Sequence, residues 1–182
     1  MKEPRFCSDC ATPLQWIEHI EDGGPKSRLR CPACGFTHWN NPTPVLAAII
    51  EYRGQVLLAR NAAWPAQMYA LVTGFMEAGE TPQAGIMREV KEETRLDTIA
   101  LDLVGVYDFQ RMNQIIIAYH VVAQGQVRLS PELAAYRLYD LPDLKCWPAG
   151  TGYALADWLR SRGHAPRFFT EAENQARQRV LD

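Results

Sequence analysis

Residues 74–96 read Gly74-Phe75-Met76-Glu77-Ala78-Gly79-Glu80-Thr81-Pro82-Gln83-Ala84-Gly85-Ile86-Met87-Arg88-Glu89-Val90-Lys91-Glu92-Glu93-Thr94-Arg95-Leu96. Just upstream, Ala70, Leu71 and Val72 end an apolar stretch, so a short buried strand over residues 69–73 is expected to lead into Gly74. Gly79 and Glu80 make a loop. Thr81-Pro82 has the chemistry of a helix start, a hydroxyl N-cap followed by proline at the first helical position. The helix is predicted from Pro82 to Thr94. Its period places Ile86, Met87 and Val90 on a core-facing side. Glu89, Glu92 and Glu93 fall together on another side, because residues three and four apart are neighbours. Gly85 falls within that carboxylate arc, where it would leave room for a bulky ligand.

Three carboxylates on one helix face repel one another, so the helix needs positive charge beside them. Arg88 relieves part of the repulsion. A hard cation such as Mg2+ or Mn2+ relieves more, since both take oxygen ligands. Metal held in this way would neutralise a pyrophosphate, polarise phosphorus and acidify an attacking water. Three glutamates alone would read as a solvated acidic face; the upstream spacing argues otherwise.

That spacing, G-x5-E-x7-R-E-V-x-E-E, resembles the signature of the Nudix hydrolases, G-x5-E-x7-R-E-U-x-E-E-x-G-U, where U is aliphatic. One fixed position departs: Arg95 stands where the signature has its last glycine, and Leu96 fills the final aliphatic place. The resemblance implies an α/β fold, a Nudix-type α/β/α sandwich with a mixed sheet, over about residues 43–160. It implies that Glu89 and Glu93 are direct ligands of Mg2+ or Mn2+. Glu92 becomes a third ligand or a general base, and the Thr73 carbonyl completes the metal shell. Arg88 should orient the carboxylates and Glu80 should brace the loop. Members place the catalytic base differently, sometimes in a later loop. Glu132, in the turn Ser130-Pro131-Glu132, is the candidate there, against the plainer reading of an exposed turn residue. A residue other than glycine at position 95 must enter a left-handed turn at a cost of about 1 kcal/mol, or the helix must end differently.

A second constellation precedes the first. Cys7-x2-Cys10 and Cys31-x2-Cys34 are separated by twenty residues. Two such knuckles form the zinc-ribbon pattern, four thiolates closing a tetrahedral structural Zn2+ site. Two disulfides are the competing reading. Met1-Lys2-Glu3-Pro4-Arg5 is polar and no apolar run follows, so no signal peptide is expected and a cytoplasmic location favours zinc. Cys146, the fifth cysteine, reads as a buried apolar filler.

Ribbons of this kind also bind nucleic acid, but residues 1–40 carry five Lys/Arg against five Asp/Glu. The whole chain has a formal charge of −2, with no basic stripe. Nucleic-acid binders draw most of their affinity from phosphate neutralisation, so a nucleic-acid partner is not expected. The ribbon reads instead as a fold extension, a dimer contact or a wall of the substrate pocket. The longest apolar run, Val45 to Ile50, is too short for a membrane helix. With 182 residues, 47% of them apolar, the chain can bury one substantial core beside the ribbon.

The expected organisation is a zinc ribbon over residues 1–40, a hydrolase domain over 43–160 and a helical C-terminal extension over 161–182. Asn40-Asn41-Pro42-Thr43-Pro44 marks the first boundary. A hairpin over residues 45–51 and 55–60 turns at Arg53-Gly54. Long strands over 99–109 and 114–124 join near Arg111-Met112-Asn113, a strand follows over 135–140, and a helix over 151–160. Thr170-x-x-Glu173 is a capping box opening a last helix. His120, in an apolar strand, reads as a satisfied core histidine.

Two Cys knuckles, a Pro-containing linker and the box together resemble the NADH pyrophosphatase family and its shorter relatives, some acting on FAD or ADP-ribose. NADH-cleaving members carry Ser-Gln-Pro-Trp-Pro-Phe-Pro after the box, where this chain has Tyr107-Asp108-Phe109-Gln110-Arg111-Met112-Asn113. The extra N-terminal domain of the longer members is not expected in this chain. Tyr107 and Phe109 are candidates to stack a purine or flavin, with aromatic core packing as the commoner explanation, and Arg111 is a candidate for a phosphate or ribose. Phe75 and Trp39 are further stacking candidates. The expected function is metal-dependent cleavage of the diphosphate in a dinucleotide (NADH-type or FAD) or ADP-ribose, releasing AMP. The alternative is a non-catalytic nucleotide-sensing module whose ribbon binds a partner or nucleic acid. A homodimer is the expectation from the resemblance.

Overall fold

The run Val45-Leu46-Ala47-Ala48-Ile49-Ile50 is buried at every position. Such a strand must be covered on both faces, which is the pattern of a sheet held between helices. A computed structural model, describing residues 3–178, shows this arrangement. The chain divides into two compact units, Met1–Pro42 and Thr43–Asp182.

In the first unit β1 (Gln15–Glu21), β2 (Gly24–Arg30) and β3 (Thr37–His38) form an antiparallel sheet in that order. Arg28 and Arg30 both clamp Glu21, at 2.8 and 2.5 Å. The Arg28 guanidinium also lies 4.8 Å above the Trp39 ring, so this stacking candidate already carries a cation on one face.

In the second unit the central strand is β4 (Thr43–Tyr52), followed by β5 (Gln55–Asn61) and β6 (Val72–Phe75). Next come α1 (Pro82–Thr94), β7 (Asp97–Phe109), β8 (Gln114–Gln124) and β9 (Leu133–Tyr139). The chain continues through β10 (Lys145–Cys146), α2 (Thr151–Ser161), β11 (Arg167–Phe168) and α3 (Glu171–Gln178). The sheet order is β7-β8-β4-β5-β9, and β6 also pairs with β4. The β4–β8 pair is parallel and the other pairs in this sheet are antiparallel, so the sheet is mixed as expected. One edge of β4 is divided: Val45–Ala48 pair with β6 and Ile50–Tyr52 with β5. The β4–β5 hairpin turns at Arg53 and Gly54, with φ 56° and 77°. Two positive values are what a two-residue turn needs to follow the strand twist.

Alternation along β4 divides the core. Leu46, Ala48 and Ile50 face α1, packing with Ile86, Val90 and Leu96. Val45, Ala47 and Ile49 point the other way, into the clusters that hold Ala154, Leu155 and Leu159 of α2. The expected helix bounds of α1 hold, but Met87 is 44% exposed and stands outside the core placed for it, while Gly85 and Thr94 are buried. The strand before the box runs two residues further than expected, through Gly74 into Phe75, because β4 offers it an edge there. Ala70, expected inside that strand, instead makes an isolated bridge with Ala59.

His120 is buried on the α2 side. Its Nε2 lies 2.9 Å from a Glu51 carboxylate oxygen and its ring stacks on Trp158 at 5.2 Å, so its polar atoms are satisfied within the core. Cys146 is fully buried, and burial pushes its thiol up to about 11, which suits an inert filler. The capping box at α3 is formed in both directions. The Glu173 N–H donates to Thr170 Oγ1 at 3.3 Å, and the Thr170 N–H donates to Glu173 Oε2 at 2.9 Å. No helix among the described residues is long and apolar enough to cross a membrane.

Candidate active site

The site is assembled where β6 delivers Gly74 against α1. A Cβ placed on Gly74 would lie 1.9 Å from Cδ of Glu89, so the carboxylate occupies the space a side chain would need. Glycine is required here for close approach. A Cβ on Gly85 would meet Glu80 Oε1 and Leu46 Cδ1, both at 2.5 Å. The room expected there for a ligand is thus taken by the protein, and Gly85 lets α1 seat on β4 and on the Glu80 loop.

The N-terminus of α1 is fixed as its sequence dictates, with the Ala84 N–H donating to Thr81 Oγ1 at 3.2 Å and Pro82 opening the helix. The other end departs from the signature. Arg95 takes φ 62°, the left-handed turn, and its N–H donates to the Lys91 carbonyl. The carbonyls of Glu93 and Thr94 are then taken by the N–H groups of Ser130 and Arg128, each at 2.9 Å. A helix leaves its last carbonyls unpaired, and here a distant segment supplies the donors.

Arg88 is the cation that the surrounding carboxylates share. Its Nε and Nη2 donate to the two oxygens of Glu80, at 3.1 and 3.0 Å, a bidentate pair. Nη1 donates to Glu89 at 2.7 Å and to Glu92 at 3.1 Å, and Nη2 also reaches the Phe75 carbonyl at 3.2 Å. Glu80 accepts in addition the Glu77 N–H at 2.7 Å. Arg88 first, and that N–H second, hold the Glu80 carboxyl below its ordinary range. One guanidinium therefore ties the loop, the end of β6 and α1 together.

The three helix glutamates are not equivalent. Glu89 has a side chain 12% exposed and Glu92 one 57% exposed. Burial raises the Glu89 carboxyl above its usual value despite Arg88 beside it. Glu93 is pushed up to about 7, by burial first and then by the charges of Glu89, Glu132 and Glu92. It lines a crevice of about 40 Å3 with Thr73, Asn61, Trp64 and Leu133. Asn61 and Trp64 carry no sequence signal for this position, since nothing in the β5–β6 connection announces proximity to α1. Glu132 comes near Glu93 because its flanking backbone is tied down: Ser130 N–H to the Glu93 carbonyl, and Ala62 N–H to the Glu132 carbonyl at 2.7 Å.

Other expected contact residues lie elsewhere. Tyr107 and Phe109 pack with Val45, Ile116 and Ala154, on the sheet face that holds α2. The Tyr107 hydroxyl donates to Asp157 at 3.0 Å, and burial, reinforced by that carboxylate, pushes the phenol up to about 12. Core packing accounts for both rings. Arg111 lies 5.4 Å from the Phe109 ring. Phe75 is 59% exposed at the end of β6.

In the ribbon unit the sulfurs of Cys7, Cys10, Cys31 and Cys34 all lie within 4.8 Å of one another. The closest pairs are 3.4 to 3.6 Å apart. Four thiolates bound at about 2.3 Å around a tetrahedral centre stand nearly this far apart, so the donor set fits zinc. Among the described residues all five cysteines are free of disulfides, against the competing reading of the knuckles.

A mixed sheet between helices carries beside it a helix of carboxylates braced by a glycine, a glutamate and an arginine. Comparison with known families identifies the arrangement. Residues 41–159 match the model of the NUDIX domain, and residues 5–40 match the zinc-ribbon model described as Nudix N-terminal. The chain belongs to the Nudix family of hydrolases. Similar curated proteins include the NAD-capped RNA hydrolase NudC of Pseudomonas aeruginosa, 28% identical over 64% of this chain and 40% of that protein. Another is NudC of Stutzerimonas stutzeri, 25% identical over 82% of this chain and 52% of the relative. The chain thus spans about half, or less, of the length of these relatives. Among solved structures, a NUDIX hydrolase from Nitrosomonas europaea is similar with TM-score 0.70 and 25% identity, covering 91% of this chain and 97% of its own. An ADP-ribose pyrophosphatase from Streptococcus suis shares the fold at TM-score 0.56 and 21% identity, over 71% of this chain and all of its own.

Proposed function

We propose that this chain is a metal-dependent pyrophosphohydrolase that splits the diphosphate of a dinucleotide, NADH-type or FAD, or of ADP-ribose, and releases AMP. The observation that carries the reading is the pair of desolvated carboxylates on α1. Glu89 is set against the Gly74 backbone, and Glu93 lines the crevice of Thr73, with its protonation shifted into the neutral range. Buried carboxylates with raised pKa values are an unfavourable arrangement for a bare fold and a favourable one for a cation site. Relatives named as hydrolases of NAD-capped RNA support a nicotinamide dinucleotide as the substrate class.

Glu89 and Glu93, with Glu92 and the Thr73 carbonyl, are the groups that would hold Mg2+ or Mn2+. When bound, such ions neutralise the diphosphate and lower the pKa of an attacking water. Arg88 orients Glu89 and Glu92, and Glu80 holds Arg88 in place. Glu132, kept near Glu93 by the main-chain bonds of its loop, is assigned as the carboxylate that takes the proton of the water. In the ribbon, Cys7, Cys10, Cys31 and Cys34 hold Zn2+. With all four positions filled by protein its role is structural.

Product analysis tests this reading. The chain is incubated with NADH, NAD, FAD, ADP-ribose and an NAD-capped RNA oligonucleotide, in Mg2+ and in Mn2+, beside Glu93→Gln and Glu132→Gln. AMP, or a 5′-monophosphate RNA, should be released by the parent chain from at least one substrate and lost in Glu93→Gln. No turnover of any of them in either metal would refute the assignment.

A further inference from the structure

The sheet face opposite α1 carries another concavity, of about 570 Å3, away from Glu89, Glu92 and Glu93. Register places its walls. Leu58 pairs with Arg137 and Val56 with Tyr139, so these side chains share the face that Leu58 and Val56 give to the α2 core. Tyr69, from the β5–β6 connection, forms another wall, and α3 closes the cavity with Glu173 and Arg177.

The charges of this cavity do not cancel locally. Its lining holds Arg137, Lys145 and Arg177 against Asp143 and Glu173. Glu173 is already committed, pairing with Lys145 at 2.6 Å and accepting the Thr170 N–H of its own capping box. Arg137 lies over the Tyr69 ring at 4.4 Å, a neutral partner. Arg177 is only 8% exposed. Its guanidinium donates to the Tyr69 carbonyl and sits over the rings of Phe169 and Trp147, at 4.6 and 5.1 Å. Among the described residues neither arginine has a carboxylate within 4.0 Å.

A buried cation with no counter-ion among the described residues is costly, and burial accordingly depresses the Arg177 pKa, although a guanidinium stays charged. Rings and a carbonyl offset part of the cost and leave the net charge. Two guanidinia on one cavity are suited to an oxyanion, which they grip with paired N–H donors, and phosphate matches that fork geometry. The volume also exceeds what a bare phosphate fills and falls in the range of small-molecule sites.

We infer that this cavity is a second binding site, taking the phosphate group of a small molecule between Arg137 and Arg177. It is independent of the hydrolytic reading, because it lies on the other face of the sheet and uses none of its residues. Inorganic phosphate and a phosphate monoester present the same chemistry to the two arginines.

Isothermal titration of the intact chain tests the inference, with inorganic phosphate and with AMP as probes, in buffer free of Mg2+ and Mn2+. Binding of one or both is expected, weakened about tenfold or more by Arg137→Gln and by Arg177→Gln, the loss typical of a charged hydrogen-bonded contact. Equal affinities would assign the site to free phosphate, and tighter AMP to a monoester. Arg137 is exposed, so Arg137→Gln keeps the test valid if Arg177→Gln fails to fold. Absence of binding by both probes, or affinities unchanged in Arg137→Gln, would overturn the proposal.

Discussion

Gly74→Ala isolates the contact on which the candidate site depends. The added methyl would lie 1.9 Å from Glu89 Cδ and 2.1 and 2.2 Å from its oxygens, where ordinary contact begins at 3.4 Å. The carboxylate must therefore retreat by about 1.5 Å (3.4 − 1.9) or β6 must shift. Either movement breaks the 2.7 Å bond from Arg88. A hydrogen bond to a charged group contributes about 1.5–3 kcal/mol, and Glu89 regains some hydration as it moves out, so a net loss of about 1–2 kcal/mol is expected. The effect on turnover should be larger, about a hundredfold, since a displacement near 1 Å at a reacting centre has that scale. Urea unfolding measures the first quantity and AMP release the second. A stability cycle with Glu89→Ala supplies the control: once the carboxylate is gone the methyl has nothing to strike, and its cost should fall close to zero. Equal costs in the two backgrounds, or wild-type turnover in Gly74→Ala, would refute the close-approach argument.

Other expectations follow from the same geometry. Glu93, whose folded pKa of about 7 lies above the ordinary 4.5, binds its proton more tightly folded than unfolded. Stability of protein free of Mg2+ and Mn2+ should then be greatest below pH 4.5, as far as this group is concerned. It should fall by about 2 kcal/mol as pH rises through 7, after discounting for partial exposure, and Glu93→Gln should flatten that dependence in urea unfolding. Chelation should remove one zinc per chain and abolish the circular-dichroism signal and hydrogen-exchange protection of β1–β3, leaving β4 protected, because a unit of this size needs its metal to fold. Arg95→Gly should raise stability by about 0.5 kcal/mol, relief of the left-handed strain being partly cancelled by a more flexible unfolded chain. Tyr107→Phe should lower stability by about 1 kcal/mol through loss of the bond to Asp157, while the kcat/KM for AMP release stays unchanged.

Local chemistry was legible wherever partners lie close in sequence. Thr81-Pro82, the Arg53-Gly54 turn and the Thr170/Glu173 capping box each form as their residue types require. Periodicity separated Ile86 and Val90 from the glutamates but misplaced Met87, because a helix on one side of a sheet buries a narrower stripe than the pattern offers. Contacts set by sheet register could not be read locally. Tyr107 and Phe109 alternate correctly along β7, yet which face that parity serves depends on Ile116 and Val45, far off in the chain. The space at Gly85 was misassigned for a similar reason, since its occupant Leu46 comes from β4. Likewise the nearness of Asn61 and Trp64 to Glu93 follows from the β5–β6 connection crossing toward α1, a path no pattern announces.

The capture of the Glu93 and Thr94 carbonyls by Ser130 and Arg128 has a consequence for variation in this chain. The segment that connects β8 to β9 would ordinarily be a place where residues are gained or lost freely. Here its length is metered: Arg128 and Ser130 must meet α1 while the Glu132 carbonyl meets Ala62. An insertion at residues 126–129 could be absorbed only by letting go of the helix end. This loop should therefore be fixed in length while its side chains drift, the reverse of the usual behaviour of a surface connection.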